Sequence, residues 1–314
     1  MKKNLLVIIV LTLVGTAVYI CAFPVTVQKQ ITVPYSVIRT GEQLNNSPSL
    51  QKWFLPFAGN NNIQTKQFEN GQLMSSGNYS IEISEIKMNG AKIKTSDTKN
   101  IKTFLLEALS DTGYLESSKI SLIYKTTLFK KWFLKSGLER NAEQSLENLK
   151  NYMLDTKLFY GYQIDRVTVE DTSFLFLKKT VPLAEKRKEI VRIFDRLINF
   201  ADQNNAGYNG TRILYPLING DEITLFSGIG VTRMIEPDNG EEIQYKRMPY
   251  GKNLLVASYQ GAFGDVTQAY SALEIYKKDH NLLSMAIPYQ KILSDGYDFA
   301  DDQVVQMKVY YPIF

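Results

Sequence analysis

The second half of this sequence passes twice through one order of elements: strand, helix, strand, strand. Val167 to Lys179 reads as a strand, Ala184 to Asn204 as a helix with Ile190, Phe194, Leu197 and Ala201 on one face, and Thr211 to Leu217 and Glu222 to Arg233 as two strands. The order returns with a strand at Asn253 to Gln260 and a helix at Phe263 to Asn281, whose Val266, Ala269, Tyr270, Leu273 and Tyr276 share a face. Strands at Pro288 to Leu293 and Gln303 to Ile313 complete it. Two such units can pair into one continuous sheet with both helices on one face, leaving a cleft on the other.

At 314 residues the chain has room for a second domain with its own core ahead of the repeat. Val25, Val27, Gln28, Gln30, Ile31 and Val33 read as a strand, and Pro34 opens a short helical stretch to Leu44. Asn45, Asn46, Ser47 and Pro48 break it before an aromatic cluster of Leu50, Trp53, Phe54, Leu55 and Phe57. Tyr79, Ile81 and Ile83 alternate, then Ile86 and Met88 lead into Asn89-Gly90, a type I′ hairpin signal, followed by Ala91 and Ile93. Ile120, Leu122 and Tyr124 alternate again. Asn141 to Leu154 closes the segment as a helix with Leu146, Leu149 and Met153 on one side.

The N-terminus carries Lys2 and Lys3 ahead of an uncharged run from Leu5 to Phe23. As a helix this run would be about 29 Å long, enough to cross a bilayer. The two lysines would keep the N-terminus cytoplasmic and put the rest of the chain outside. The expected arrangement is a single-pass membrane anchor over residues 1–24, with cleavage of a signal peptide before Phe23 as the alternative, giving a secreted or periplasmic protein.

One cysteine and one histidine exclude structural zinc, Cys/His pairs and Ser-His-Asp triads, so no metal is expected. Cys21 lies within the apolar run, and His280 ends an amphipathic segment where a positive group suits a helix C-terminus. Neither GxGxxG nor GxxxxGK[ST] occurs, so no nucleotide cofactor is expected. The excess of 36 basic over 32 acidic residues is not concentrated anywhere, which argues against a nucleic-acid partner. Glu241-Glu242 and Asp301-Asp302 sit in polar loops as solvated pairs, and the glycines of Gly228 to Gly230 lie within a strand as a packing site or bulge.

ITVPYSVI, SLQKWFLPFA and the closing SLENLKNYM helix resemble the START-like (SRPBCC) superfamily, polyketide cyclases and related binders of hydrophobic ligands. That resemblance covers residues 25–163 and implies a helix-grip fold with an apolar pocket under Leu146, Leu149 and Met153. In residues 164–314, NLLVASYQGAFGDVTQAYSAL, IPYQKIL and VVQMKVYYPI resemble the gyrase-inhibitor-like (GyrI-like) effector-binding domain. This second resemblance implies a cleft that holds small, often cationic and lipophilic molecules between aromatic rings over an acidic floor. Tyr215, Tyr259, Phe263, Tyr270, Tyr289 and Tyr310 are the aromatic candidates for that cleft.

The sequence departs from the family where Tyr289 is followed by Gln290 rather than Glu, a neutral amide that neither offsets a buried cation nor serves as a base. Taken together, the expectation is an α+β chain with a transmembrane helix, a START-like domain and a GyrI-like domain of two repeats. It would bind or sense a small lipophilic molecule without catalysis. A hydrolase acting in the same cleft, or a protein-interaction inhibitor, is the alternative.

Overall fold

A computed structural model describes residues 12, 15, 19, 21–69, 71–111, 114–170, 172–235, 237, 242–284, 286–293 and 299–313. They form two compact units, Met1–Asp155 and Thr156–Phe314, each mixed α+β around its own antiparallel sheet.

In the first unit β1 (Pro24–Val33) leads to two short helices, α1 (Val37–Leu44) and α2 (Ser47–Trp53). Ser36 caps α1 by accepting from the Arg39 N–H, and Asn46 caps α2 by accepting from the Ser49 N–H, with Pro48 in the first turn where its missing N–H costs nothing. The meander β2 (Gln64–Phe68), β3 (Gly71–Ser76), β4 (Tyr79–Lys87), β5 (Gly90–Ser96), β6 (Ile101–Asp111) and β7 (Tyr114–Thr127) follows. β7 returns to pair with β1, giving the order β1-β7-β6-β5-β4-β3-β2. After α3 (Leu128–Trp132) the long helix α4 (Gly137–Leu154) opens on a capping box between Ser136 and Glu139 and packs against β1, β6 and β7.

Leu138, Ala142, Leu146, Leu149 and Met153 recur three or four residues apart on the buried face of α4. Phe104, Trp53 and Phe57 are buried in the same unit, and a void beside Phe57 and Leu138 measures about 10 Å³, room for one water. Leu146, Leu149 and Met153 are thus core side chains.

The expected Asn89-Gly90 turn is displaced by one residue. Lys87 pairs with Gly90, so Met88-Asn89 makes the turn and Gly90 begins β5. The glycine is needed for close approach instead of for a turn angle, since a Cβ at Gly90 would overlap the carbonyl oxygen of Leu106 on β6. Gly41 on α1 does the same above the turn, where a Cβ would overlap the Met88 carbonyl.

The second unit starts with α5 (Thr156–Tyr160) and β8 (Ile164–Thr168). The first repeat is β9 (Ser173–Pro182), a 3-10 turn at Leu183–Glu185, α6 (Lys186–Gln203), β10 (Tyr208–Asn219) and β11 (Glu222–Val231). A short β12 (Gln244–Arg247) precedes the second repeat, β13 (Asn253–Ala262), a 3-10 turn at Phe263–Asp265, α7 (Thr267–Asp279), β14 (Tyr289–Ile292) and β15 (Val304–Pro312). His280 is the C-cap residue of α7.

All eight strands join in one sheet, β12-β9-β11-β10-β14-β15-β13-β8. The two repeats are mirror-ordered within it, first-third-second against second-third-first, and β10 meets β14 at the seam through Leu214 opposite Gln290. Both helices lie on one face, α6 on β9, β10 and β11 and α7 on β13 and β15. Strand alternation turns Leu175, Leu225, Leu214, Met307 and Leu255 to that face, where they join Ile190, Phe194, Leu197, Ala269 and Leu273 in one core.

Val167 to Lys179 is not one strand. The chain leaves β8 at Val169, whose N–H goes to Lys252, and enters the other repeat at Ser173, so the run serves two separate places in the sheet.

The transmembrane helix over Leu5 to Phe23, and with it the single-pass membrane localisation, must be corrected. No helix among the described residues is long and apolar enough to cross a membrane, for which about 20 consecutive apolar residues are needed. Most of the Leu5 to Phe23 run lies outside the described residues. Those described within it, Thr12, Gly15, Tyr19, Cys21 and Ala22, are helical, and Phe23 passes directly into β1 at Pro24.

Candidate functional site

On the helix-bearing face of the second unit, α7 and the sheet enclose a groove of about 500 Å³. One wall is Val266, Thr267, Tyr270, Ser271, Glu274 and Ile275 of α7 and the residue before it. The other is Tyr215 and Pro216 of β10, Pro288 ahead of β14, and Tyr311 of β15. Continuing the strand registers past their last pairs sets Pro216, Pro288 and Tyr311 side by side as one row of the sheet. The next row inward on the same face is Ser227, Leu214, Gln290, Val309 and Ala257, across five adjacent strands.

Gln290 has no exposed surface. Neither its amide oxygen nor its amide nitrogen has a hydrogen-bond partner among the described residues, and the same holds for the Ser227 hydroxyl in that row and the Tyr270 hydroxyl above it. A buried polar group without partners costs on the order of 1–3 kcal/mol, so the amide and hydroxyl on this face of the sheet, with the Tyr270 hydroxyl of α7, mark a place where the packing does not complete the polar chemistry.

The groove wall is aromatic. Tyr215 and Tyr270 meet edge to face with centroids 5.8 Å apart. Burial, and then the neighbouring Tyr215, push the Tyr270 hydroxyl well above its ordinary pKa, so it is a neutral donor and no nucleophile. The Lys277 ammonium lies 4.2 Å from the Tyr311 ring centroid and 2.9 Å from Glu274. Burial raises the Glu274 carboxyl, but the hydrogen bonds from Lys277 and Tyr311 outweigh it and hold the group below the usual carboxylate range.

The seven residues expected around a cleft fall in three places. Tyr270 lines the groove, Tyr215 reaches both the groove and a concavity of the helix-free face that it shares with Phe226 and Tyr289, and Gln290 lies one row beneath the groove. Tyr289 and Tyr310 lie on the helix-free face, the side on which the sequence puts the cleft, where their rings stack at 5.1 Å and 15° and line a concavity of about 220 Å³. Tyr259 and Phe263 belong to the core: Tyr259 stacks on Tyr162 and donates to the Ala262 carbonyl at 2.5 Å, and Phe263 packs edge-on against Phe299.

Glu274, Tyr311 and Ser227 were not singled out from sequence. Strand alternation through Met307 and Val309 does carry the signal for Tyr311, which shares their face. Of the loop carboxylates, Glu242 pairs with Arg196 and Asp301 with Lys186, while Glu241 lies outside the described residues.

No family model and no curated protein matches this sequence. Among solved structures, the EcmrR C-terminal domain is similar to 49% of this chain over 98% of its own length, at 14% identity and a TM-score of 0.38. SAV2435 bound to tetraphenylphosphonium is similar to 49% of this chain over 93% of its own, at 13% identity and a TM-score of 0.30. A hydrolase from Listeria innocua is similar to 48% over 91%, at 11% identity and a TM-score of 0.34. With overall superpositions this weak, what the groove can do must be read from its own side chains.

Proposed function

We propose that the second unit is a GyrI-like effector-binding domain that holds a small lipophilic molecule, neutral or cationic, in the groove between α7 and the sheet. The observation that carries this reading is the fully buried Gln290 amide, unpartnered at both ends, one row beneath an aromatic-walled groove of about 500 Å³. A pocket of this size with few polar groups and several aromatic faces suits a small apolar ligand, and ring faces accept a cation without a full counter-charge. The Gln290 amide, one row beneath the groove, keeps an NH₂ donor group and an acceptor oxygen without partners among the described residues.

The reading is one of binding without turnover. Glu274, the carboxylate of the groove wall, is held ionised by Lys277 and Tyr311, which makes it a weak base and no acid at neutral pH. The first unit, with its returning β7 and the α4 helix across β1, β6 and β7, has the order of a START-like domain. We assign it that kinship from its strand order and the helix that covers it.

Native mass spectrometry of protein purified without added ligand tests the proposal. A co-purified small molecule that tetraphenylphosphonium displaces is the expected result. Ligand-free protein that also fails to bind this cation would overturn it.

A further inference from the structure

The short helix α3 of the first unit buries none of its residues. It is held at its start, where the Thr127 hydroxyl accepts from the Lys130 N–H and the Leu128 N–H donates to the Phe23 carbonyl at 3.2 Å. At its end the chain exposes Trp132, Phe133 and Leu134 by 71%, 73% and 62%. Large apolar side chains exposed singly are ordinary, but no other three in succession are exposed among the described residues. Phe23, whose carbonyl anchors the helix, is exposed as well.

The free charge around this ridge has one sign. Lys130 and Lys131 are exposed on α3, Lys125 is exposed on β7 just before it, and none of the three has a carboxylate partner among the described residues. The Lys131 ammonium lies 5.8 Å from the Trp132 ring centroid. Lys135, beyond Leu134, is held by Glu143 at 2.7 Å, which takes up the acidic group of that neighbourhood.

A protein groove takes one face of a segment, and three consecutive side chains do not share a face. A fluid hydrocarbon boundary takes them all without a complementary shape. Tryptophan settles there at the level of the headgroups, and lysine stems lie along apolar surface while their ammonium groups stay wet.

We propose that Trp132, Phe133 and Leu134 insert into the interfacial layer of a bilayer with anionic headgroups, with Lys125, Lys130 and Lys131 against the phosphates. The contact lies along the surface and crosses nothing, so it differs in kind from a transmembrane helix, and it is independent of the groove in the second unit.

The sequence has two tryptophans and Trp53 is buried in the first core, so Trp132 is the one whose surroundings change on binding. The full chain is titrated with vesicles of phosphatidylcholine alone and with vesicles that also contain phosphatidylglycerol. On the anionic vesicles Trp132 emission should shift to the blue and become protected from acrylamide. Partitioning should be about tenfold weaker on the neutral vesicles and should fall with added salt. Phe133→Ser combined with Leu134→Ser should lower partitioning by about tenfold or more, and Lys130→Gln combined with Lys131→Gln should remove most of the preference for anionic lipid. Any contribution of the uncharged Leu5 to Phe23 run is common to all these proteins. The four positions are exposed, so both variants should melt with the parent protein. Trp132 left open to acrylamide on anionic vesicles, unchanged partitioning of the Phe133 and Leu134 variant, or equal partitioning on both vesicles would overturn the proposal. So would protection of Trp132 without vesicles that grows with protein concentration, the mark of a second copy seated on the patch.

Discussion

Replacing Gln290 with leucine should make the protein more stable and its groove less able to hold a ligand. The side chain is fully buried between Leu214 and Val309, and neither end of its amide is hydrogen-bonded among the described residues. Leucine has nearly the same volume, so the packing against those two neighbours is kept while the unsatisfied groups are removed. An unpartnered buried amide costs about 1–3 kcal/mol and a shape change of this kind gives back up to about 1.5 kcal/mol, so the net gain should reach up to about 3 kcal/mol. In a domain of this size the melting temperature should rise by about 2–4 °C per kcal/mol. Urea denaturation of the second unit's transition gives the free energy directly. A variant less stable than wild type by more than about 1 kcal/mol would refute the reasoning, because it would mean that the amide has partners holding it. A stability gain with unchanged ligand affinity would keep the energetics and remove Gln290 from the site.

Gln290→Glu should behave oppositely and with pH: burial raises the folded-state pKa of the new carboxyl above its unfolded value of about 4.3. Its stability relative to wild type is then greatest at low pH and falls as pH rises past that value, measured by thermal melts from pH 3 to 8. In the first unit Glu139 is almost fully buried, 2.6 Å from Lys102, and these contacts together with the Ser136 N–H outweigh burial and hold its pKa down. That pair therefore stabilises above the unfolded carboxyl pKa and is lost as pH falls through the folded one. Glu139→Gln should cost about 1–3 kcal/mol at pH 7 by urea denaturation, and the difference should shrink towards pH 3. Gly41→Ala should destabilise by about 1–3 kcal/mol by the same assay although alanine favours helix by about 1 kcal/mol, because the added methyl meets the Met88 carbonyl, which is backbone and cannot turn away.

Much of the second unit was legible because two different periodicities alternate there in a fixed order. Ile190, Phe194, Leu197 and Ala201 repeat at helical spacing and are all buried on α6, and the strands around them alternate as expected. What periodicity could not supply was which face of the sheet a given aromatic takes. Tyr289 and Gln290 are adjacent in sequence and so on opposite faces, and only the pairing of Leu214 with Gln290 across the repeat seam shows that the amide goes to the helix side. Tyr259 and Phe263 look like pocket residues by type, yet both are taken up by ring packing in the core. The displaced turn at Met88-Asn89 has the same origin. The glycine signal was real, but it answers to the Leu106 carbonyl on a strand whose position the local sequence does not specify.

The most direct test of the central claim is a calorimetric titration of one lipophilic cation into wild type, Tyr270→Ala and Gln290→Glu at a single ionic strength. The groove account predicts saturable binding at one site per chain. Affinity should fall by about tenfold or more in Tyr270→Ala, where an aromatic wall is lost, and rise by about tenfold in Gln290→Glu, where desolvated pairing adds ~1.4 kcal/mol or more. Equal affinities in all three proteins, or no saturable binding by folded wild type, would contradict it.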